Sequence, residues 1–62
     1  MKFDWDEKAR IVRGFEKCET KADVDGLMKF LTRRISEYDA DERTKARALR
    51  FANCEARRAY WG

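Results

Sequence analysis

Apolar residues at helical spacing in the middle of the chain constrain the fold more than any other feature. Between Val24 and Tyr38 they recur every three or four positions, and at 100° per residue they share an arc about 100° wide. The stripe consists of Val24, Leu27, Met28, Leu31, Ile35 and Tyr38. Such a stripe is typical of an amphipathic helix, and we interpret it as the packing face of the core.

The segment before this stripe also has a helical pattern. Counted from Trp5, its apolar residues fall on one half of the circumference, and charged residues such as Arg10 and Arg13 fall on the other. The apolar half consists of Trp5, Ala9, Ile11, Val12, Phe15 and Cys18. We therefore expect this half, including Trp5, to face the core.

Candidate capping pairs place the helix starts. In each pair, an acceptor side chain is followed three residues later by an acid. The pairs are Asp4 with Glu7, Thr20 with Asp23, and Asp39 with Glu42. No strand-like alternation appears, proline is absent, and 62 residues are enough for one domain. The fold class predicted is all-α: a single helical domain over 1–62, a small three-helix bundle with helices at about 5–18, 21–37 and 41–60.

The residue types required by most catalytic and metal sites are scarce. The chain has no histidine, so histidine acid–base chemistry and the usual zinc ligand sets are missing. The glycines, Gly14, Gly26 and Gly62, are isolated and form no phosphate-binding loop. We expect no enzymatic activity, no metal and no cofactor.

The sequence also predicts where in the cell the protein is located. The segment MKFDWDEK lacks the apolar stretch of a secretory signal, and no run approaches the roughly 18 apolar residues of a membrane span. We expect a cytoplasmic protein without a membrane partner. Cys18 and Cys54 are then free, partly buried thiols in a reducing compartment.

Positive charge is concentrated near the C-terminus. Residues 1–20 are neutral, 21–42 carry a net charge of −2, and 43–62 carry +5. On the third predicted helix, five arginines occupy an arc about 100° wide, which we call the Arg stripe. It consists of Arg43, Arg47, Arg50, Arg57 and Arg58. Cys54 lies within the Arg stripe, Phe51 borders it, and Trp61 extends it if the helix continues.

Small residues lie on the other side of the third helix. They are accompanied by two larger side chains, and together the set is Ala48, Leu49, Ala52, Ala56, Ala59 and Tyr60. Alanines allow helices to approach closely, so we expect this side to pack inward and the Arg stripe to face solvent.

Five like charges on one face repel each other, by a few tenths of a kcal/mol for each neighbouring pair. Water with acids of the same molecule, an acidic protein surface, or nucleic-acid phosphate could each offset this repulsion. Arginine with aromatic residues is typical of protein interfaces. The predicted partner-binding residues are Arg43, Arg47, Arg50, Phe51, Arg57, Arg58 and Trp61, with Phe30 as a further candidate.

Two partner classes remain open on this pattern. A basic stripe along a helix is also the electrostatic signature of nucleic-acid binding. The rest of the chain is neutral to acidic, however, and the net charge is only +3. We therefore expect an acidic or partly apolar protein partner first and nucleic acid as the alternative. A homodimer is a third expectation for so small a chain with several aromatic residues.

Two stretches resemble a known family. FEKCETKADVDGLM, residues 15–28, is similar to the early part of the Hha/YmoA-type nucleoid modulators, and RFANCEARRA, residues 50–59, is similar to their last helix. The acidic turn DADE, residues 39–42, also corresponds. The chain departs from the family where its partner-binding Asp, a His and an Arg fall on Asn53, Cys54 and Glu55.

This resemblance implies a fold and a role. Family members are small all-α cytoplasmic proteins that bind the oligomerisation domain of an H-NS-type nucleoid protein. They modulate gene silencing and do not catalyse a reaction. What the resemblance implies is therefore a stoichiometric regulator, with a contact at Asn53 that cannot use the carboxylate charge of the family.

Overall fold

The computed structural model describes residues 3–61, with only the backbone described for Trp61. Three helices follow one another: α1 covers Trp5–Glu16, α2 covers Lys21–Ser36 and α3 covers Glu42–Trp61. The described residues contain no strand, so the all-α three-helix prediction is confirmed. The predicted bounds agree within two residues at every helix end.

The N-terminal caps agree with prediction only in part. Thr20 and Asp23 form the reciprocal capping box expected at the start of α2. Asp4 caps α1 by accepting from the Glu7 backbone N–H at 2.9 Å, but the Glu7 side chain does not return the contact. At α3 the predicted pair is wrong: Asp41, not Asp39, accepts from the Thr44 N–H at 2.8 Å.

The core lies where the three helices meet. Its buried apolar residues are Ile11, Phe15, Val24, Leu31, Ile35, Tyr38, Ala48 and Ala52. Ala48 and Ala52 have no exposed surface, which confirms the inward packing of α3 for the middle of its small side. In α1, Gly14 allows a similarly close approach, because a Cβ there would lie 3.1 Å from Leu27 Cδ2 of α2.

A buried polar cluster joins α1 to α2. The Glu7 carboxylate accepts hydrogen bonds from Arg34 Nε at 2.8 Å, Arg34 Nη2 at 3.1 Å and the Tyr38 hydroxyl at 2.5 Å. Glu7 is 5% exposed although it is charged. We call Glu7, Arg34 and Tyr38 the buried triad. It joins the start of α1 to the end of α2, while Gly14 near the end of α1 lies beside Leu27 in the first half of α2, so the two helices are antiparallel.

The buried triad also changes the acidity of its members. The hydrogen bonds from Arg34 hold the pKa of Glu7 below its ordinary value, with Tyr38 adding to the effect against the cost of burial. Burial and the bond to Glu7 raise the pKa of Tyr38 well above that of a free phenol. The cluster is therefore a carboxylate held by one cation and one neutral hydroxyl.

Four inward placements predicted from the sequence are wrong, and the first of them is Ala9 of α1, which is exposed. Trp5 is 82% exposed because the face of α1 that packs is centred on Glu7, Ile11 and Phe15, which leaves Trp5 outside the contact. Ala59 is exposed and Tyr60 is 37% exposed. The 20 residues of α3 exceed the 12 of α1 and the 16 of α2, so its last turn has fewer neighbours to pack against.

Candidate functional site

The Arg stripe faces solvent along the whole of α3. All five of its side chains, Arg43, Arg47, Arg50, Arg57 and Arg58, are exposed, on the side of the helix opposite Ala48 and Ala52. The arrangement follows from the sequence, because α3 turns its apolar residues, Ala48 and Ala52 with the half-buried Leu49 and Phe51, toward the core. The packing of α3 thus gathers the guanidinium groups on one surface.

Most of this charge has no close carboxylate. Arg58 Nη1 lies 3.9 Å from Glu55 Oε1, one turn earlier on the same helix. Within residues 3–61, no acid lies within ion-pair distance of the other four arginines of the stripe. A cluster of cations therefore remains available to groups outside the molecule.

At the start of α3, one carboxylate partly offsets the positive charge of the Arg stripe. The carboxylate of Asp41 has its pKa held below its ordinary value, chiefly by hydrogen bonds from Thr44 and in smaller part by the charge of Arg47. Asp41 is exposed and engaged in capping. It therefore offsets some of the field of Arg47 without forming an ion pair with it.

A shallow depression runs along the first half of α3. It encloses about 680 Å³ and is lined by three arginines of the stripe together with the apolar side chain of Leu49. The arginines are Arg43, Arg47 and Arg50, and Asn53 closes the far end. Cations and apolar surface are thus presented side by side.

A second concavity lies between α2 and α3, and we call it the α2–α3 groove. It encloses about 540 Å³ above an apolar floor made by Val24, Met28 and Ala56. Arg50 and Arg57 line its α3 side, two helical turns apart. Asn53 and Arg50 line both this groove and the depression, so the two concavities adjoin.

Three further residues lie at the end or on the walls of the α2–α3 groove. Tyr60 lines it near the C-terminal end of α3, where Lys21 Nζ lies 4.8 Å from the Tyr60 ring centroid. On the α2 side, Asp25 brings a carboxylate opposite the arginines. The α3 wall is therefore cationic, and the α2 wall carries one acid.

The aromatic site candidates are placed differently from the arginines. Phe51 is half-buried and packs edge-on against Phe3, with ring centroids 5.7 Å apart, so much of its surface is used within the molecule. Phe30 is 59% exposed but lies about 160° around α2 from Met28, away from the α2–α3 groove. The side chain of Trp61 lies outside the described residues.

The two cysteines are not joined to each other. Cys54 is exposed and lines the α2–α3 groove. Cys18 is half-buried, donates from Sγ to the Gly14 carbonyl at 3.5 Å, and has its pKa raised by burial. Cys54 is therefore the more accessible of the two thiols.

The sequence predicted the arginines of the site but not the groove between α2 and α3. Val24 and Met28 belong to the stripe of α2 that we assigned to the core, and Val24 is indeed buried. Met28 is only half-buried, because it lies at the α3-facing edge of that stripe. Its position at the edge of the stripe, about 50° from the centre, was the one available signal that it could also line a surface.

Within residues 3–61, no three Cys, Asp or Glu side chains converge as a metal site would require. None of the helices in the same range is long and apolar enough to cross a bilayer. Comparison of the chain with protein-family models, with curated proteins and with solved structures gives no match.

Proposed function

We propose that this protein is a small regulatory module that binds a partner protein stoichiometrically through the Arg stripe of α3. One observation carries the proposal: exposed arginines without close carboxylates flank a groove with an apolar floor. Arginine forms paired hydrogen bonds with carboxylates, and burial of apolar surface adds affinity. The complementary partner surface is acidic and partly apolar.

The proposal also includes the location of the protein in the cell and its class. We place the protein in the cytoplasm, without a membrane partner, as a binding protein and not an enzyme. The unpaired thiols of Cys18 and Cys54 are compatible with a reducing compartment. A homodimer formed through the same surface would hide the Arg stripe, and sedimentation at two concentrations distinguishes it from a monomer.

The resemblance to Hha/YmoA-type modulators supports a narrower candidate, an H-NS-like nucleoid protein or other gene-expression machinery. Asn53, on which the family's partner-binding Asp falls, lines both the depression and the α2–α3 groove. The neutral amide between Arg50 and Arg57 favours a more acidic partner surface than the family's carboxylate would.

A capture experiment from lysate tests the proposal. Tagged wild-type protein is compared with the double variant Arg47→Glu/Arg50→Glu, with and without nuclease treatment. We expect nuclease-resistant protein partners that the double variant retains poorly, because reversal replaces attraction with repulsion at the centre of the Arg stripe.

A matched control separates the site from net charge. Lys29→Glu/Arg33→Glu makes the same change in charge at exposed positions one turn apart on α2, away from the α2–α3 groove. It should retain the partners. Equal capture by both double variants, with helical circular dichroism unchanged, would contradict the proposal.

Nucleic acid is the alternative, and the length of the Arg stripe favours it. Fifteen residues separate Arg43 from Arg58, about 22 Å along the helix axis. Neutralisation of about five phosphates predicts a salt slope near −4.5 for binding to a random duplex. The absence of retention on duplex DNA at low salt excludes this alternative.

A further inference from the structure

The α2–α3 groove differs from the rest of the Arg stripe because it adds an apolar floor, and because arginines line one wall while an acid lines the other. Val24, Met28 and Ala56 provide carbon surface between the two helices. Arg50 and Arg57 stand on the α3 wall, whereas Asp25 stands on the α2 wall. An occupant must therefore be apolar on one side and place its acids toward α3.

The spacing of the wall residues matches a helix. Arg50 and Arg57 are seven residues apart, so they stand almost above one another, separated by about 10.5 Å along the axis of α3. A second helix lying along the α2–α3 groove presents carboxylates at the same interval when they are seven positions apart. An apolar side chain between those carboxylates can then reach the apolar floor of the α2–α3 groove.

The backbone of the described residues also favours a helix as the occupant of the α2–α3 groove. The α2–α3 groove runs between two helices that are antiparallel, because the start of α2 at Lys21 lies beside the end of α3 at Tyr60. Residues 3–61 contain no strand edge to which an extended peptide could add. Recognition of a helix in a groove needs only side-chain contacts at intervals of three, four and seven residues. Methionine in the floor adapts to different apolar anchors.

We propose that the α2–α3 groove receives an acidic amphipathic helix of the partner, with carboxylates two turns apart on Arg50 and Arg57 and an apolar anchor on the floor. This inference rests on the proposed function and names the partner's chemistry. The depression along α3, with Arg43 and Arg47, extends the same cationic wall for further acids of that helix.

The test uses designed peptides of roughly 20 residues, long enough to be helical in water. The matched peptide has glutamates at i and i+7 and leucines at i+3 and i+4. A second peptide keeps the composition but scrambles the order, and a third replaces glutamate with lysine. In fluorescence anisotropy at low salt, we expect the matched peptide to bind at least tenfold more tightly than the scrambled one.

Two variants locate the binding. Asp25→Lys removes the acid of the α2 wall at an exposed position and should strengthen binding of the matched peptide severalfold. Met28→Gln keeps the size of the side chain but makes the floor polar, and should abolish the preference for the matched peptide. Because Met28 is half-buried, circular dichroism must show that this variant is folded.

The exposed thiol supplies an independent footprint. In a Cys18→Ala background, only Cys54 can react with a maleimide, and Cys54 lines the α2–α3 groove. The matched peptide should slow the reaction at least tenfold, and the lysine peptide should leave it unchanged. This readout works on the folded protein and leaves Asp25, Arg50 and Arg57 unchanged.

The outcomes separate this inference from the proposed function. If both acidic peptides bind equally, depend on Arg50, and ignore Asp25 and Met28, the helix-in-groove inference is overturned while acidic-partner binding stands. If no acidic peptide binds, or binding is unaffected by Arg47→Glu/Arg50→Glu, the proposed function itself fails. Stronger binding of duplex DNA than of the matched peptide would overturn both.

Discussion

At the scale of single residues, Glu7 shows how one side chain can be misassigned by a local pattern. Its position three residues after Asp4 is typical of a capping box, yet its carboxylate turns inward to Arg34 and Tyr38. A buried charge is costly unless it is paired, and the buried triad supplies both a cation and a hydroxyl. Glu7 therefore joins two helices and does not stabilise the end of one.

Removal of this carboxylate should be severely destabilising. Glu7→Ala leaves Arg34 and the Tyr38 hydroxyl without their partner, and loss of one member of a buried ion pair costs about 3 kcal/mol or more. A chain of this size has a total stability of about 3–9 kcal/mol. We expect a large fall in the denaturant midpoint, measured by circular dichroism.

Glu16→Ala is the control, because Glu16 is exposed in the last turn of the same helix. It should change the free energy of unfolding by no more than about 0.5 kcal/mol. Similar losses in the two variants would show that the buried triad contributes nothing specific.

The buried triad also predicts that the stability of the folded protein decreases at acidic pH. Because the folded pKa of Glu7 is lowered, its stabilisation is fully present above the ordinary glutamate pKa of about 4.3 and is lost as the pH falls further. Urea midpoints between pH 7 and pH 3 should fall more steeply for the wild type than for Glu7→Gln. Parallel curves would contradict the assignment.

At the scale of elements, the three helices differ in how they are stabilised. α1 depends on the buried triad and on the close approach at Gly14, whereas α2 has a full capping box and buries Val24, Leu31 and Ile35. Within α2, Gly26 is an exception, since it is exposed and a Cβ there would meet no atom within 4 Å. The conformational freedom of glycine therefore lowers the stability of α2 at this position, and no close packing contact offsets that loss.

Gly26→Ala should therefore stabilise the protein. Glycine inside a helix costs about 1 kcal/mol relative to alanine, and the new methyl group has open space. For a domain of this size, we expect a rise of roughly 4–8 °C in Tm, measured by thermal circular dichroism. Gly14→Ala is the comparison: crowding against Leu27 should make its gain smaller or reverse it. A fall in Tm for Gly26→Ala would contradict this description of α2.

The elements also show which features can be predicted from the sequence. Periodicity predicted the three helices and the inward positions of Ala48 and Ala52, because these depend on residues close in the chain. Trp5 and Tyr60 were placed wrongly, because their exposure depends on how far each helix overlaps its neighbours. The buried triad and the α2–α3 groove join residues more than 20 positions apart, and one helical pattern contains no information about such pairs.

At the scale of the whole molecule, the charge is divided between surfaces. The third helix holds the positive charge while the first two segments are neutral to acidic. Packing turns the Arg stripe outward, and the α2–α3 groove adds apolar surface beside two of its arginines. The resulting surface is suited to an acidic, partly apolar partner, which is the central claim of the proposed function.

Affinity for a partner captured from lysate, measured for two double variants of equal charge, tests that claim most directly. Arg47→Glu/Arg50→Glu should raise the Kd about tenfold or more, because it reverses two exposed charges at the centre of the Arg stripe. Lys29→Glu/Arg33→Glu should change the Kd by less than about threefold, since distant surface charges are screened by salt. An unchanged Kd for the first variant, with its helical signal and Tm intact, would contradict the account.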